Sequence, residues 1–366
     1  MGYSLYIVIL LLTIIILSYI YEYYEKNKIR IKGIKVHDIV LVPVFILLTF
    51  LCILRSPVVG NDTYHYISIY SYIRDTQDGL KDLLMRYEPG YLYLNKVVSI
   101  FFSNPQSILI ITGLITGIGY YSFIHKYSYS VILSIFMFIC LRYYDQTLNI
   151  IRECIALCII LYSYRFICTK RFLLFLLSVV CATFFHKTSI VFLLAWWICK
   201  IKISSKNFGL LFIITLLLTF QFNTIFSSLI TVVKVYSYYD GGQYFGETRL
   251  ATIMNIIVNS FFFIIALKIR NIHGDKLSEH IDRMLLLWYI GICILFVSTQ
   301  FNLLDRIATY YLVFSIVVYP NMISLLVRNK IRYQWTILSI IILLTYYSTI
   351  IFYRPMWNRI FPYEFF

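Results

Sequence analysis

Apolar runs separated by short basic loops recur along this chain of 366 residues, and they leave it few ways to fold. They lie near residues 3–21, 38–54, 107–124, 129–143, 147–168, 171–184, 188–200, 207–226, 251–269, 283–300, 306–326 and 334–352. A helix needs about 20 apolar residues to cross a hydrocarbon core of roughly 30 Å, and in lipid its backbone must satisfy its own hydrogen bonds. The pattern predicts an all-α, polytopic membrane helix bundle with about 12 transmembrane helices. Runs 129–143, 171–184 and 188–200 are short, so they borrow flanking residues or sit inside the bundle. The first run, Leu5 to Ile20, has no basic segment before it and reads as a span rather than a cleaved signal peptide.

Composition agrees. Hydrophobic residues make up 60% of the chain and charged residues only 13%, against about 25% charged in soluble domains. So few charges cannot cover a water-solvated globule of this size. The net charge of +15 does not imply nucleic acid, because no basic soluble segment is long enough to hold it. Lys and Arg gather instead in the loops 22–37, 169–171, 200–206, 268–276 and 328–332. Placing these in the cytoplasm satisfies the positive-inside rule and leaves both termini outside.

That orientation forces one further reading. Residues 91–103 are apolar but short, and a full span there would turn every later basic loop outward. They are read as a re-entrant or interfacial helix within an external region at 56–106. A second external loop covers 227–250. With no internal repeat and no linker, residues 1–366 read as a single integral membrane domain. The eight cysteines are scattered, mostly in apolar runs, without a CxxC pair. No metal or cofactor is expected, and no P-loop, GxSxG, HExxH or GxGxxG motif occurs.

The unusual polar residues fall on the face read as external. Ionisable groups at membrane spans are costly, which makes them candidates for function. Asp62 follows Gly60-Asn61 and precedes Tyr64, His65 and Tyr66; it suits a general base or a helix N-cap. Glu88-Pro89-Gly90-Tyr91 opens the short helix, where a carboxylate also complements the helix dipole. Arg152 lies near the end of an apolar run, with Glu153 beside it but on another helix face. A guanidinium grips phosphate in a fork, or snorkels to the interface. His186, between two apolar runs, titrates near neutrality and could take a proton from an attacking hydroxyl, or could be structural. Arg306, beside a possible partner in Asp305, and Arg249 are further candidate anion ligands. With no nucleotide site, an activated substrate must supply the energy. A lipid-linked sugar diphosphate fits, and arginines would hold its leaving group.

These motifs together resemble the EpsG-type family of Wzy-like polysaccharide polymerases. The residues that carry the likeness are Gly60-Asn61-Asp62-Thr63 with Tyr66, Glu88-Pro89-Gly90-Tyr91, Asn149 with Arg152 and Ala156, and Ala182 with Phe185-His186-Lys187-Thr188. Asp305-Arg306 with Tyr310, Pro320 and Pro362-Tyr363 complete it. The resemblance implies a GT-C-like helical fold in the bacterial plasma membrane. It implies joining of undecaprenyl-diphosphate-linked oligosaccharides, donor and acceptor, on the outer face, with a chain-length regulator as a further partner. On that reading His186 or Asp62 deprotonates the acceptor and Glu88 positions it. Arg152, Arg306 and Arg249 bind diphosphate, and Tyr64, Tyr66 or Tyr91 stack on sugars. A lipid-linked oligosaccharide flippase, a polysaccharide ligase and a membrane acyltransferase are the alternatives.

Overall fold

A computed structural model describes residues 36–226, 249–273, 278–326, 328–353, 359–360 and 362–366. The run 3–21 and the loop 227–248 lie outside the described residues. Those described are helical, with one isolated antiparallel bridge between Arg55 and Phe365.

In chain order the helices are α1 (Val36–Ile53), α2 (Thr63–Asp75), α3 (Gly79–Leu84), α4 (Pro89–Phe101), α5 (Gln106–Tyr127), α6 (Val131–Cys140), α7 (Tyr143–Asn149), α8 (Ile151–Cys168) and α9 (Phe172–Phe185). A 3₁₀ segment, Lys187–Leu194, leads into α10 (Ala195–Ile198) and α11 (Ser205–Phe220). Then come α12 (Leu250–His273), α13 (Glu279–Val297), α14 (Leu304–Leu312), α15 (Ser315–Ser324) and α16 (Asn329–Tyr353).

Five stretches are long and apolar enough to cross a membrane: Gln106–Tyr127, Leu250–His273, Glu279–Val297, Leu304–Ser324 and Asn329–Tyr353. The pair α6 and α7, bent by 49°, makes a sixth if counted as one span. The chain is thus a multi-pass membrane protein, with fewer full-length spans among the described residues than the twelve apolar runs predict. The difference has physical causes. Runs 171–184, 188–200 and 207–226 become helices or 3₁₀ turns shorter than a full span. Helix α8 is long enough at 18 residues but carries Arg152, Glu153 and Arg165.

The chain packs as two compact units, Met1–Ile190 with Tyr333–Phe366, and Val191–Arg332. In the first, α5 packs on α1 and α8, and α8 on α9. Gly113 and Gly117 let α5 approach α1: a Cβ on Gly117 would sit 2.2 Å from Thr49 Oγ1. Asp145 of α7 is buried and meets Arg142 at 3.5 Å and the Tyr347 hydroxyl at 3.1 Å. In the second unit α13 packs on α11, α12 and α14, with Trp288 Nε1 donating to Asn259 Oδ1 at 3.0 Å.

Helices α2 and α4 form a small subassembly with the start of α8. Tyr66, Ile69, Tyr70 and Ile73 of α2 interlock with Tyr91, Leu92 and Val98 of α4 and with Ile151 and Ile155 of α8. The other face of α4 leaves Tyr93, Val97, Ile100 and Phe101 exposed. At 13 residues α4 is far short of a span.

Candidate functional site

Local sequence places each side chain of the site. Glu88 is the N-cap of α4 and Pro89 its first residue, which suits a position where an N–H is unneeded. Glu88 caps nothing with its carboxylate, which is therefore free to turn toward α8 and α9. Gly90 sets the approach: a Cβ there would lie 2.7 Å from the Phe184 carbonyl, so the start of α4 abuts the end of α9. His186 caps that end, its N–H donating to the Ala182 carbonyl at 3.0 Å. Arg152 and Glu153 lie in the first turn of α8, just after the chain breaks helix at Ile150.

These residues meet. Arg152 Nη1 pairs with Glu88 Oε2. Glu88 Oε1 lies 3.3 Å from His186 Nδ1, and His186 Nε2 lies 3.7 Å from Glu153 Oε2. The imidazole thus sits between two carboxylates. Glu88 and Glu153 are buried and Arg152 only partly so, which leaves the guanidinium as the outermost group of the ion-pair cluster. Its free side faces aromatic rings. Arg152 lies 5.3 Å above the Tyr87 centroid, and its charge acts on the Tyr66 phenol. The Tyr87 hydroxyl shares a 2.8 Å hydrogen bond with His65 Nε2. Asp62 lies close enough to His65 to act on its charge.

Burial would raise the Glu88 carboxyl, but the His186 imidazole and the Arg152 charge outweigh it and hold Glu88 down to about 2. Burial also pushes His65 below its ordinary value; Asp62 opposes that, and Arg152 and Arg86 add to it. Tyr66 is pushed up to about 12 by burial, so it stays a neutral phenol. The Glu88 shift has a sign that can be tested. Its folded value lies below its unfolded one, so its contribution is full above about pH 4.5 and fades as pH falls toward about 2. Its size is roughly 3 kcal/mol. Glu88→Gln is expected to unfold at lower temperature than the wild type at neutral pH, with the gap narrowing as the pH is lowered through about 4. A gap independent of pH would show that Glu88 carries no such linkage.

The loop before α2 is clamped from both sides. Gly60 has φ +88° and lies against the Leu148 carbonyl, and the Asn61 N–H donates to Asn149 Oδ1 at 2.8 Å. Thr63 Oγ1 donates to the Val59 carbonyl at 2.6 Å. The buried Arg55 donates to the Cys52 carbonyl and to Thr63 Oγ1. From the other side, the Ser56 N–H donates to the Glu364 carbonyl and the Phe366 N–H to the Leu54 carbonyl, each at 2.8 Å. The Tyr363 hydroxyl bonds the Leu51 carbonyl, and the Gly60 N–H the Arg359 carbonyl. The Pro362-Tyr363 motif and the Gly60-Asn61-Asp62-Thr63 motif, 300 residues apart in sequence, are thus parts of one structure. Asp62 holds the N-cap position of α2 without a side-chain cap bond, so its carboxylate is not spent on starting the helix.

The structure therefore brings Glu88, Arg152 and His186 into one cluster, with Asp62 and Tyr66 beside it. Tyr66 and Tyr91 pack edge to face at 5.5 Å and are buried, so neither offers a ring face to a sugar. Tyr64 is 71% exposed and points away from this packing. Arg306, exposed in the first turn of α14, and Arg249, just before α12, belong to the second unit. Arg306 forms no ion pair with Asp305. Glu153, Tyr87 and His65 were not singled out by sequence reasoning. The available signal was position: Tyr87 precedes Glu88, and His65 follows Asp62 by three residues, on the same helix face.

Among the described residues no group of three or more His, Cys, Asp or Glu side chains could hold a metal ion. A hollow of about 660 Å³ lies along α16 from Leu344 to Tyr353 and shares no residue with the cluster.

Fold and site together define an all-helical, multi-pass membrane protein with a carboxylate–arginine–histidine cluster beside a clamped Asp62 loop. The chain belongs to the EpsG family, whose family model matches residues 38–365. The match takes in every residue of the cluster and the Tyr363 clamp. No curated protein and no solved structure matches the chain.

Proposed function

We propose that this protein is a polysaccharide polymerase, a glycosyltransferase that joins undecaprenyl-diphosphate-linked oligosaccharide units on the outer face of the bacterial plasma membrane. The observation that carries the reading is the Arg152 guanidinium, held by Glu88 and Tyr87 at the edge of a buried ion-pair cluster, with Asp62 nearby. A fixed, partly desolvated guanidinium suits a diphosphate leaving group. Family membership supports the same class of reaction. The basic loops support an outside placement of this face.

Asp62 takes the proton of the acceptor hydroxyl. The hydroxyl oxygen attacks the anomeric carbon of the donor sugar, a new glycosidic bond forms, and the carbon–oxygen bond to undecaprenyl diphosphate breaks. Arg152 stabilises the negative charge on the departing diphosphate. His186 meets carboxylate oxygens with both ring nitrogens, so it fits a part in orienting Glu88 and Glu153 better than proton abstraction. Glu88 keeps Arg152 in place. Arg306 and Arg249 remain candidate diphosphate ligands, and a chain-length regulator is the expected protein partner.

A deletion strain tests the class of protein. Loss of a polymerase leaves single repeat units displayed on the cell surface. Surface carbohydrate absent altogether would identify a flippase instead, and full-length polymer left unattached would identify a ligase.

A further inference from the structure

Tyr87 carries two guanidinium groups, of which the ion-pair cluster uses one. Arg152 lies 5.3 Å from the ring centroid and Arg86 lies 5.4 Å from the same centroid. The two guanidinium carbons are therefore no more than about 11 Å apart. Their partners differ. Arg152 is paired with Glu88. Arg86 is exposed, and among the described residues it makes no ion pair. Both act on His65 in the same direction, as expected of cations close to one imidazole.

Two like charges near one ring repel, and each side chain gives up conformational freedom to stay there. Stacking on a tyrosine face offsets part of that cost. The ring is itself fixed, 8% exposed and hydrogen-bonded through its hydroxyl to His65 at 2.8 Å. The cluster beneath contains Glu88, Glu153, Arg152 and His186, so its own cations are largely answered by its carboxylates. Arg86 brings the unanswered positive charge.

We infer that Arg86 is the second arginine of an anion site completed by Arg152, with a diphosphate bound between the two guanidinium groups and Tyr87 as the positioning residue that holds both. The inference deepens the proposed function and rests on it for the identity of the anion. It assigns to Arg86, in the same unit as Asp62 and Arg152, the role that the sequence offered to Arg306.

The full-length protein in detergent, titrated with inorganic pyrophosphate and separately with orthophosphate, tests this by the ligand-induced rise in unfolding temperature. The wild type is expected to bind pyrophosphate more tightly than orthophosphate. Arg86→Ala is expected to weaken pyrophosphate about tenfold or more, with Arg86→Lys weakened less. Because Arg86 is exposed, the ligand-free unfolding temperature of Arg86→Ala should match the wild type. Tyr87→Phe keeps the ring and should retain more affinity than Tyr87→Leu. Wild-type affinity in Arg86→Ala, with affinity lost in Arg152→Ala, overturns the inference and leaves the diphosphate reading standing. A wild type that binds no pyrophosphate overturns both.

Discussion

Arg152→Ala is expected to abolish long polymer in cells while the protein still inserts in the membrane. Removing a preorganised cation from a developing anion costs about 10²–10³ in rate, or roughly 3–4 kcal/mol of barrier. The truncation also acts on the ground state. It strips Glu88 of its partner, and an uncompensated buried charge costs about 3–5 kcal/mol. His186, 3.3 Å away, offsets part of that. The two effects are separable with Arg152→Lys, which keeps a charge for Glu88 but lacks the planar fork. Lysine should restore most of the unfolding temperature and little of the chain length. Polymer of wild-type length from Arg152→Ala would remove Arg152 from the reaction.

Among the described glycines, Gly60→Ala is expected to have the largest effect of an added methyl group. The backbone there has φ +88°, which costs a non-glycine residue about 1–2 kcal/mol. The new Cβ would also fall 2.4 Å from the Leu148 carbonyl oxygen and 2.7 Å from Thr63 Oγ1. The first neighbour is backbone and cannot rotate away. The loop must therefore shift off the end of α7, breaking the bond from the Asn61 N–H to Asn149 and carrying Asp62 with it. A loss of at least about 2 kcal/mol in stability, with polymer shortened or absent, is the expected outcome. Gly209→Ala provides the contrast. Gly209 lies inside α11, and a Cβ there would meet nothing within 4 Å. Relief of the helical glycine penalty should stabilise that variant by about 0.5–1 kcal/mol. Equal unfolding temperatures for the two variants would contradict the packing described around Gly60.

Much of the architecture was legible in the apolar runs. The run 107–124 became Gln106–Tyr127 and the run 251–269 became Leu250–His273, because burial in lipid and helix formation make the same demand on a sequence. Irregular stretches were not legible. Hydropathy is blind to the turn at Arg142, which takes φ +71° and bends α6 against α7. It is equally blind to the 3₁₀ geometry after His186. Glu88, Arg152 and His186 stand out in the sequence because ionisable groups beside membrane spans are rare. That Glu88, Arg152 and His186 meet depends on Gly90 touching the end of α9, a contact between residues nearly 100 positions apart. Glu153 looked unpromising because adjacent helical residues face different ways. It joins the cluster because His186 reaches between α4 and α8 and presents one nitrogen to each carboxylate. Tyr66 and Tyr91 looked like sugar platforms as sequence. Their rings are instead buried and packed edge to face on each other.

The most direct test of the central claim uses the purified full-length protein in liposomes with an undecaprenyl-diphosphate-linked repeat unit and no nucleotide. A ladder of products lengthening by one repeat unit at a time, with undecaprenyl diphosphate released and Arg152→Ala inactive, is the predicted result. Elongation that requires a nucleotide, or proceeds equally in Arg152→Ala, would contradict the assignment of this cluster as the site of glycosyl transfer.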